Sequence, residues 1–346
     1  MESATFGIHE TNVTGWMVEH VGACAPLNFD LIAGGRSNLT YRVSDAEGRN
    51  YALRRPPTSH VLPTAHDMVR EHRMISALYP RGVPVAQPLG LCEDLSVNER
   101  PFYVMEFVEG AILRNRAEAE VAFDLDTRGV IGDHLARTLA QLHDVDVHDA
   151  GLSALARHDG YIDRQLRRWR TQYDQMRVDG GNHDDVVQAV GDQLAASIPP
   201  QQRVAVVHGD YRLDNTVLDP SGQVRAILDW EISTLGDPMA DVGLLLVYWA
   251  EPGDPTAALL GSAPTTAPGF ADRDQVLQAY SRYSSLDVSR VAYYQAFGYW
   301  KLACILQGVF ARYSAGATAG DQGSVAEFPT HITMLAEMAK KILEQD

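Results

Sequence analysis

The pattern of apolar residues changes once along this chain of 346 residues, and that change limits the folds it can adopt. Two early segments, FDLIAGGRSNLTYRVSD and NYALRRP, are alternating or β-branched with glycines in the first, which predicts strands and a turn. From Asp126 to Val145 the apolar residues instead recur at helical spacing and predict a long core helix. We therefore expect an α+β protein, with a small strand-rich N-terminal region and a larger, mostly helical C-terminal region.

The remaining segments fit this two-part arrangement. Residues 64–78 predict an amphipathic helix that ends before Pro80, and the run PFYVMEFVEG predicts a buried strand that leaves the sheet at Gly110. Further helices are predicted over Tyr161–Arg177, in VSRVAYYQAFGYWKLACILQGVFARY and in HITMLAEMAKKILEQ. The stretch Pro252–Gly269 predicts a long loop, which is either a functional lid or a mobile surface insertion.

Composition and charge exclude several classes of protein. A net charge of -16 argues against nucleic-acid binding, which needs a basic surface. The longest apolar stretch, Val242–Ala250, is far shorter than the roughly 20 residues of a membrane helix. The N-terminus has no basic and apolar leader pattern, so we predict a cytoplasmic protein. The three cysteines lie far apart without metal-type or redox-type spacing and favour a packing role.

One polar segment, VVHGDYRLDN, follows a hydrophobic run and spaces three residues as His208-x-Asp210-x-x-x-x-Asn215. Phosphoryl transfer needs a carboxylate beside the attacking hydroxyl, and an oxygen ligand for Mg²⁺ a few residues along the same loop. Asp210 and Asn215 have that spacing. Taken alone, the segment is weak evidence for catalysis and favours a polar turn between two buried strands.

The segment that follows strengthens the chemical interpretation. TVLDPSGQVRAILDWE predicts strand, turn and strand, and places Asp229 after the second strand, where a hairpin brings it towards Asn215. Mg²⁺ prefers oxygen ligands and is usually held by one or two carboxylates together with substrate phosphates. Glu231, on the same side if the strand continues, is either a further ligand or a salt-bridge partner.

On these two motifs the chain resembles the aminoglycoside phosphotransferase and choline kinase superfamily, relatives of the protein kinases. HGDYRLDN is similar to the family's catalytic loop, and ILDWEISTLGDPMADVG to its metal-binding segment. The resemblance implies a two-lobed kinase-like fold, with an N-lobe over 1–108 and a C-lobe over 109–346. It also implies that Asp210 is the catalytic base, that Asn215 and Asp229 hold Mg²⁺, and that Asp241 braces the catalytic loop.

The resemblance assigns the nucleotide-binding residues to the N-lobe. IAGGRSNLTYRV offers Gly34 and Gly35 for close approach to the phosphates of ATP (or GTP), followed by Ser37 and Asn38 as donors.

The next strand of this lobe departs from the family pattern. Arg54 stands in YALRRP where the family expects a lysine, and it is cationic but larger and not equivalent. Glu71 is the expected partner of Arg54, or else a solvated helix residue. VMEFVEG is the expected hinge, whose backbone groups near Glu106 and Val108 bond the adenine edge, and Met105 is its first residue.

The aromatic series in the C-terminal helical run is predicted to be core, although the family's C-terminal helices line the acceptor site. Its members are Tyr293, Tyr294, Phe297, Tyr299 and Trp300. His143 and His148 share no metal-ligand spacing and are predicted to be surface or core residues.

The predicted activity is that of a small-molecule kinase acting on a hydroxyl group, but the residues leave the acceptor open. The phrases GGRSNLTYRV, LRRPP and ILDWEISTLGDPMADVG are similar to kinase-like domains associated with acyl-CoA dehydrogenases, which implies a hydroxyacyl-CoA or a similar metabolite. No dehydrogenase domain is expected here, because the two lobes use the whole chain. The alternatives are an aminoglycoside O-phosphotransferase, a nucleotide-binding pseudokinase without turnover, and a hydrolase that uses Asp210 and His208 on a metal-bound water.

Overall fold

The structure is a computed structural model that describes residues 5–33, 38–58, 67–155, 159–177, 184–257, 259, 263–315 and 327–345. It divides into two compact units, one formed by Met1–Gly110 with Arg225–Ser233 and the other by Ala111–Val224 with Thr234–Asp346. The first unit contains an antiparallel sheet and the second is mostly helical, which confirms the predicted α+β class. The lobe boundaries, 1–108 and 109–346, stay predictions.

The first unit is built on a five-stranded antiparallel sheet with the strand order β1-β2-β3-β5-β4. Its strands are β1 Asn28–Ala33, β2 Leu39–Ser44, β3 Asn50–Arg55, β4 Pro88–Cys92 and β5 Phe102–Glu106. In β2, Leu39, Tyr41 and Val43 are buried and the residues between them are partly exposed, as expected for a strand with one face on a core. The predicted strands of this region are therefore present.

Among its described residues, the first unit contains the α-helices α1 Glu10–His20, α2 Met68–Leu78 and α3 Leu95–Asn98. The side chain of Asp67 accepts the backbone N–H of Arg70 and sets the start of α2, which is the predicted amphipathic helix. Val13 and Met17 of α1 belong to the hydrophobic core beneath the sheet. Helix α1 was not predicted from the sequence.

Strand β5 is shorter than predicted, because it ends at Glu106 rather than at Gly110. Glu106 lies opposite Tyr51, one residue from the start of β3, so β5 has no partner backbone beyond this point. The apolar residues Phe107 and Val108 continue the strand pattern but lie outside the sheet.

The second unit consists mainly of helices around α10. Its helices are α4 Arg116–Ala122, α5 Leu125–His143, α6 Tyr161–Gln175, α7 Asp184–Ala196, α8 Met239–Tyr248, α9 Arg273–Tyr283, α10 Val291–Ser314 and α11 Phe328–Gln345. The short strands of this part of the chain are β6 Ala205–Val207, β7 Thr216–Leu218, β8 Val224–Ile227 and β9 Thr234–Gly236. A Cβ atom at Gly243 would lie 2.3 Å from the backbone of Tyr294, so only glycine allows α8 to approach α10 this closely.

The described part of the loop at 252–269 is held against the second unit. Thr256 and Thr265 are buried, and the Thr265 hydroxyl donates to the carbonyl of Ala250 at 2.7 Å. A short 3-10 turn covers Pro264–Thr266. Across all the described helices, none has the length and apolar character needed to cross a bilayer.

Candidate active site

The polar segment His208–Asn215 forms a loop in the second unit, directly after the buried strand β6. The Nδ2 atom of Asn215 donates to both the carbonyl oxygen and the Oδ2 atom of Asp210, each at 2.9 Å. A 3-10 turn over Leu213–Asn215 supports this contact. The two residues that the spacing predicted to act together are therefore fixed against each other.

Asp241, at the start of α8, holds the other end of this loop. Its Oδ2 atom accepts the backbone N–H of His208 at 2.6 Å, and its Oδ1 atom accepts that of Gly209 at 2.8 Å. The carboxylate is only 1% exposed, and a ring nitrogen of His143 lies 3.5 Å away. Burial acts to raise the pKa of Asp241, but the hydrogen bond and charge of His143 together with the loop N–H groups lower it overall. Asp241 thus braces the loop in the way the sequence implied.

The carboxylate of Asp210 is 26% exposed and lies beside two cationic side chains. The Nε atom of Arg212 is 3.5 Å from its Oδ2 atom. Lys301 of α10 donates from Nζ to the carbonyl of Gly209 at 3.0 Å. Burial, together with the charge of Asp210, raises the pKa of Tyr248, which keeps that phenol protonated as a donor next to the carboxylate.

A cleft opens at this end of the loop within the second unit. It is lined by Arg212, Asp214, Tyr248, Trp249, Pro264 and Thr265, among others. The guanidinium of Arg212 lies 4.6 Å from the ring centroid of Tyr248, and its Nε atom is 2.8 Å from Asp214. Ala263, Pro264 and Thr265 of the 252–269 loop therefore form one wall of this cleft.

His208, unlike Asp210, is not exposed to solvent. The residue is fully buried, and its Nδ1 atom accepts the backbone N–H of Asp210 at 3.3 Å. A buried imidazole used in this way shapes the loop and does not reach a water in the cleft. The geometry therefore disfavours the hydrolase alternative.

The first unit carries a second polar group, the Arg54 cluster, formed by Arg54, Glu71, Tyr103, Asn38 and Asp229. The Nε atom of Arg54 lies 3.0 Å from Oε2 of Glu71, and its Nη2 atom contacts Oδ1 of Asp229. Glu71 also accepts the Tyr103 hydroxyl at 3.0 Å and the Asn38 amide at 2.7 Å. The ion pair expected between Arg54 and Glu71 is present.

Glu71 is 2% exposed, so its carboxylate is buried with its partners. Burial raises its pKa, while the charge of Arg54 and the bond from Tyr103 oppose that rise. The cluster is consequently a set of charges that depend on one another in a medium with little water.

Asp229 has an unusual backbone conformation, with φ of 61°. Only a few per cent of residues other than glycine adopt this left-handed region, and such residues concentrate at functional sites. Strand β8 ends at Ile227, so it does not continue through Glu231. Glu231 nevertheless lies 3.9 Å from Arg54 and 3.4 Å from the Asn38 amide, which fits the salt-bridge alternative.

Only some of the other residues predicted to bind the nucleotide lie in the part of the chain that the structure describes. Gly34, Gly35 and Ser37 lie outside the described residues. Glu106 ends β5 and donates its N–H to the carbonyl of Gln87 at 2.8 Å, and Val108 follows in irregular backbone. The roles of Gly35, Ser37, Asn38, Glu106 and Val108 stay predictions.

Asn215 and Asp229 each carry the kind of donor atom that the resemblance implied for a hard metal ion. Asn215 commits its amide nitrogen to Asp210 and so presents its amide oxygen, and Asp229 contributes a carboxylate. Both are oxygen donors of the type that Mg²⁺ prefers. Within the described residues no group of three or more His, Cys, Asp or Glu side chains converges as a ready-made metal site.

Sequence reasoning missed Lys301, Arg212 and Tyr248. Lys301 sits between Trp300 and Leu302 in an apolar helix, and a lone lysine in such a run is the available signal. The aromatic residues of α10, by contrast, are core as predicted, since all five are buried and the Tyr294 hydroxyl donates to Asp237 at 2.7 Å.

Comparisons with known proteins agree with this geometry. Residues 29–282 match the phosphotransferase enzyme family. The mouse (Mus musculus) protein "Acyl-CoA dehydrogenase family member 10" is 34% identical over 300 residues, which covers 85% of this chain and 28% of that protein. The chain spans between 28% and 40% of the length of the curated relatives it matches.

Solved structures place the chain in the protein-kinase-like fold that was predicted. A crystal structure from Ralstonia eutropha JMP134, provisionally described as an aminoglycoside phosphotransferase, is 31% identical with a TM-score of 0.78, covering 96% of this chain and 98% of that one. The amicoumacin kinase hAmiN, in complex with AMP-PNP and Ca²⁺, shares the fold at 16% identity and a TM-score of 0.59, covering 97% and 94%.

Proposed function

We propose that this chain, which belongs to the phosphotransferase enzyme family, transfers the γ-phosphate of ATP to a hydroxyl group of a small metabolite. The observation that carries the proposal is the Asp210 carboxylate, which is partly exposed and is held by Asn215 on a loop whose backbone is fixed by Asp241. A kinase needs a carboxylate of this kind, positioned before the substrate arrives.

Asp210 is proposed to orient the acceptor hydroxyl and take its proton. As the new bond forms between the acceptor oxygen and the γ-phosphorus, the bond to the ADP oxygen breaks, and the hydroxyl proton passes to the Asp210 carboxylate. Arg212 at 3.5 Å and the nearby Lys301 supply positive charge around that carboxylate. Because the loop backbone is already bonded to Asp241, little reorganisation is required when the substrate binds.

On the nucleotide side, Arg54 is proposed to bind phosphate oxygens in place of the lysine expected there. Glu71 holds the guanidinium through Nε, so its orientation is defined before the nucleotide arrives. We propose Asn215 and Asp229 as the Mg²⁺ ligands; the ion, when bound, neutralises negative charge on the phosphates. Gly35, Ser37 and Asn38 are proposed to contact the phosphates, and the backbone at Glu106 and Val108 to contact the adenine.

The proposed acceptor is a hydroxyacyl-CoA. The support is the similarity to a protein described as an acyl-CoA dehydrogenase family member, over 85% of this chain. A second candidate is an aminoglycoside, since the structure with a TM-score of 0.78 is provisionally described as an enzyme for that substrate class.

The test is Mg²⁺-dependent ADP release from ATP across hydroxyacyl-CoAs, aminoglycosides, choline-like amines and sugars. Asp210→Asn is expected to lower turnover on the true acceptor by roughly 10²- to 10⁴-fold, because it removes the base. Binding of Mg-ATP, followed by the shift in melting temperature, should persist in that variant.

The matched control is Asp126→Asn, the same chemical change at an exposed position in the first turn of α5, which should behave as wild type. Turnover that survives Asp210→Asn unchanged would refute the proposed base. Nucleotide binding without turnover on any acceptor would favour the pseudokinase alternative, and a protein indifferent to Mg-ATP would refute the proposal altogether.

A further inference from the structure

Helix α6 carries a concentration of positive charge that is unexpected in a chain with a net charge of -16. Its sequence, YIDRQLRRWRTQYDQ, contains four arginines within seven residues. The buried face of the helix is apolar, through Ile162 and Leu166 among others, so the arginines occupy its outer part. The transferase chemistry proposed above makes no use of them.

Three of these arginines line one groove in the second unit. The groove has a volume of about 500 Å³ and is lined by Arg164, Arg167, Arg168, Thr171, Gln172 and Gln175. All six of these side chains can donate hydrogen bonds, and no carboxylate is among them. Asp163 pairs with Arg167 beside the groove, while the lining itself carries three arginines and no acidic side chain.

The ring of Trp169 contacts both a residue of the groove, Arg168, and Lys301, which lies near Asp210. The ring centroid of Trp169 lies 5.2 Å from the guanidinium carbon of Arg168 and 5.8 Å from Nζ of Lys301. Lys301 in turn donates to the carbonyl of Gly209, the residue before Asp210. Burial lowers the pKa of Lys301, and the charge of Arg168 adds to that effect, as expected for neighbouring cations.

We infer that this arginine groove binds phosphate groups of the acceptor at a distance from its reacting hydroxyl. Guanidinium groups recognise phosphate through paired N–H donors, and this shallow groove presents three of them on one face of the helix. The inference rests on the proposed function and narrows it, because a phosphate-bearing carrier such as a coenzyme A thioester fits the groove. A polycationic aminoglycoside would meet like charge.

The dimensions favour a small molecule over a large polyanion. From Arg164 to Gln175 the helix rises by about 17 Å, at 1.5 Å per residue. The strongly acidic protein around this single helix face would repel an extended nucleic acid or an anionic membrane surface.

The experiment measures binding directly, so that it does not depend on turnover. Calorimetry with coenzyme A and with adenosine 3′,5′-bisphosphate is carried out on the protein saturated with Mg-AMP-PNP, which keeps the adenine of the probe out of the nucleotide site. Wild type should bind both probes, and the combined Arg164→Gln and Arg168→Gln variant should bind them at least tenfold more weakly. The melting-temperature shift with Mg-AMP-PNP should be unchanged.

The matched control is Arg170→Gln, which removes one charge from the same helix at a residue that pairs with Asp192 and does not line the groove. It should retain wild-type affinity for coenzyme A. Arg168→Gln alone, a change at an exposed side chain, tests the same point if the double variant does not fold.

Any of three results would overturn the inference. The wild-type protein could bind neither probe, the double variant could bind both with wild-type affinity, or the protein could bind phosphatidylserine vesicles but not coenzyme A. These results leave the kinase proposal intact, since that proposal stands on the loss of turnover in Asp210→Asn. Conversely, arginine-dependent binding of coenzyme A by a protein that transfers no phosphate would support the groove and refute the kinase.

Discussion

The His208–Asn215 loop and the Arg54 cluster each contain an aspartate with a proposed role in phosphate transfer, yet they are stabilised differently. The loop is held by backbone N–H groups that donate to one buried carboxylate, Asp241, at 2.6 and 2.8 Å. The cluster is held by a buried guanidinium between Glu71 and Asp229, with few backbone contacts. The backbone hydrogen bonds of the loop do not depend on side-chain charges elsewhere in the protein. In the cluster, by contrast, removing one charged side chain leaves its partner buried without a counter-charge.

The largest effect on stability is expected from Arg54→Gln, because it leaves the buried Glu71 without its cation. The free energy of unfolding should fall by about 3 kcal/mol, as for other buried pairs that lose one partner. Chemical denaturation measures this change. Adding Glu71→Gln to the same protein should recover part of the loss, since the stranded charge is then removed.

Arg73→Gln is the control for this change, at an exposed position of α2 in the same unit. Its effect should stay within about 0.5 kcal/mol. If Arg54→Gln were as mild as this control, the cluster would not depend on charge balance and the contrast with the loop would fail.

The second effect is expected from Asp241→Asn, which replaces one acceptor oxygen by an amide that faces a loop N–H. The free energy of unfolding should fall by about 2 kcal/mol near neutral pH. Because the pKa of Asp241 is lowered in the folded protein, its contribution is present above its ordinary value of 3.8 and is lost as the pH falls through the folded value below that.

The difference in the free energy of unfolding between wild type and Asp241→Asn should therefore become smaller on acidification, by at most about 1.4 kcal/mol per pH unit. The contribution of Glu71 to stability depends on pH in the opposite direction, because its pKa is raised in the folded protein. That contribution is full below the ordinary pKa of 4.5 and is lost as the pH rises through the folded value. A gap that stays constant from pH 5 to pH 3 would show that Asp241 is not the ionised brace of the loop.

The smallest effect on stability is expected from Gly209→Ala. Gly209 has φ of 86°, where an alanine costs about 1–2 kcal/mol. Gly48, with φ of 79° in an exposed turn and nothing within 4 Å of an added Cβ, is its control. Both variants should lose similar stability, but only Gly209→Ala should lower kcat, because only that glycine precedes Asp210. Equal turnover in the two variants would show that the backbone conformation at Gly209 does not affect catalysis.

Much of the fold was predictable because it follows from local periodicity. The alternation at Leu39, Tyr41 and Val43 and the helical spacing of α5 both follow directly from the order of residues. One prediction was wrong where a partner strand decided the outcome. Strand β5 ends at Glu106 rather than at Gly110, at the point where β3 begins opposite it. This limit does not follow from the residues of the segment itself.

The sequence by itself determined which chemical groups are available for the proposed reaction. The carboxylate and amide of the Asp210–Asn215 loop, Asp229, and the arginine at position 54 follow from residue types and spacing. Only the tertiary structure decided which distant groups act on them. Asp241 reaches the loop N–H groups from 33 residues away, and Lys301 reaches Gly209 from 92 residues away. Charge balance and hydrogen bonding in a buried site depend on distance in space, and periodicity along the chain carries no information about it.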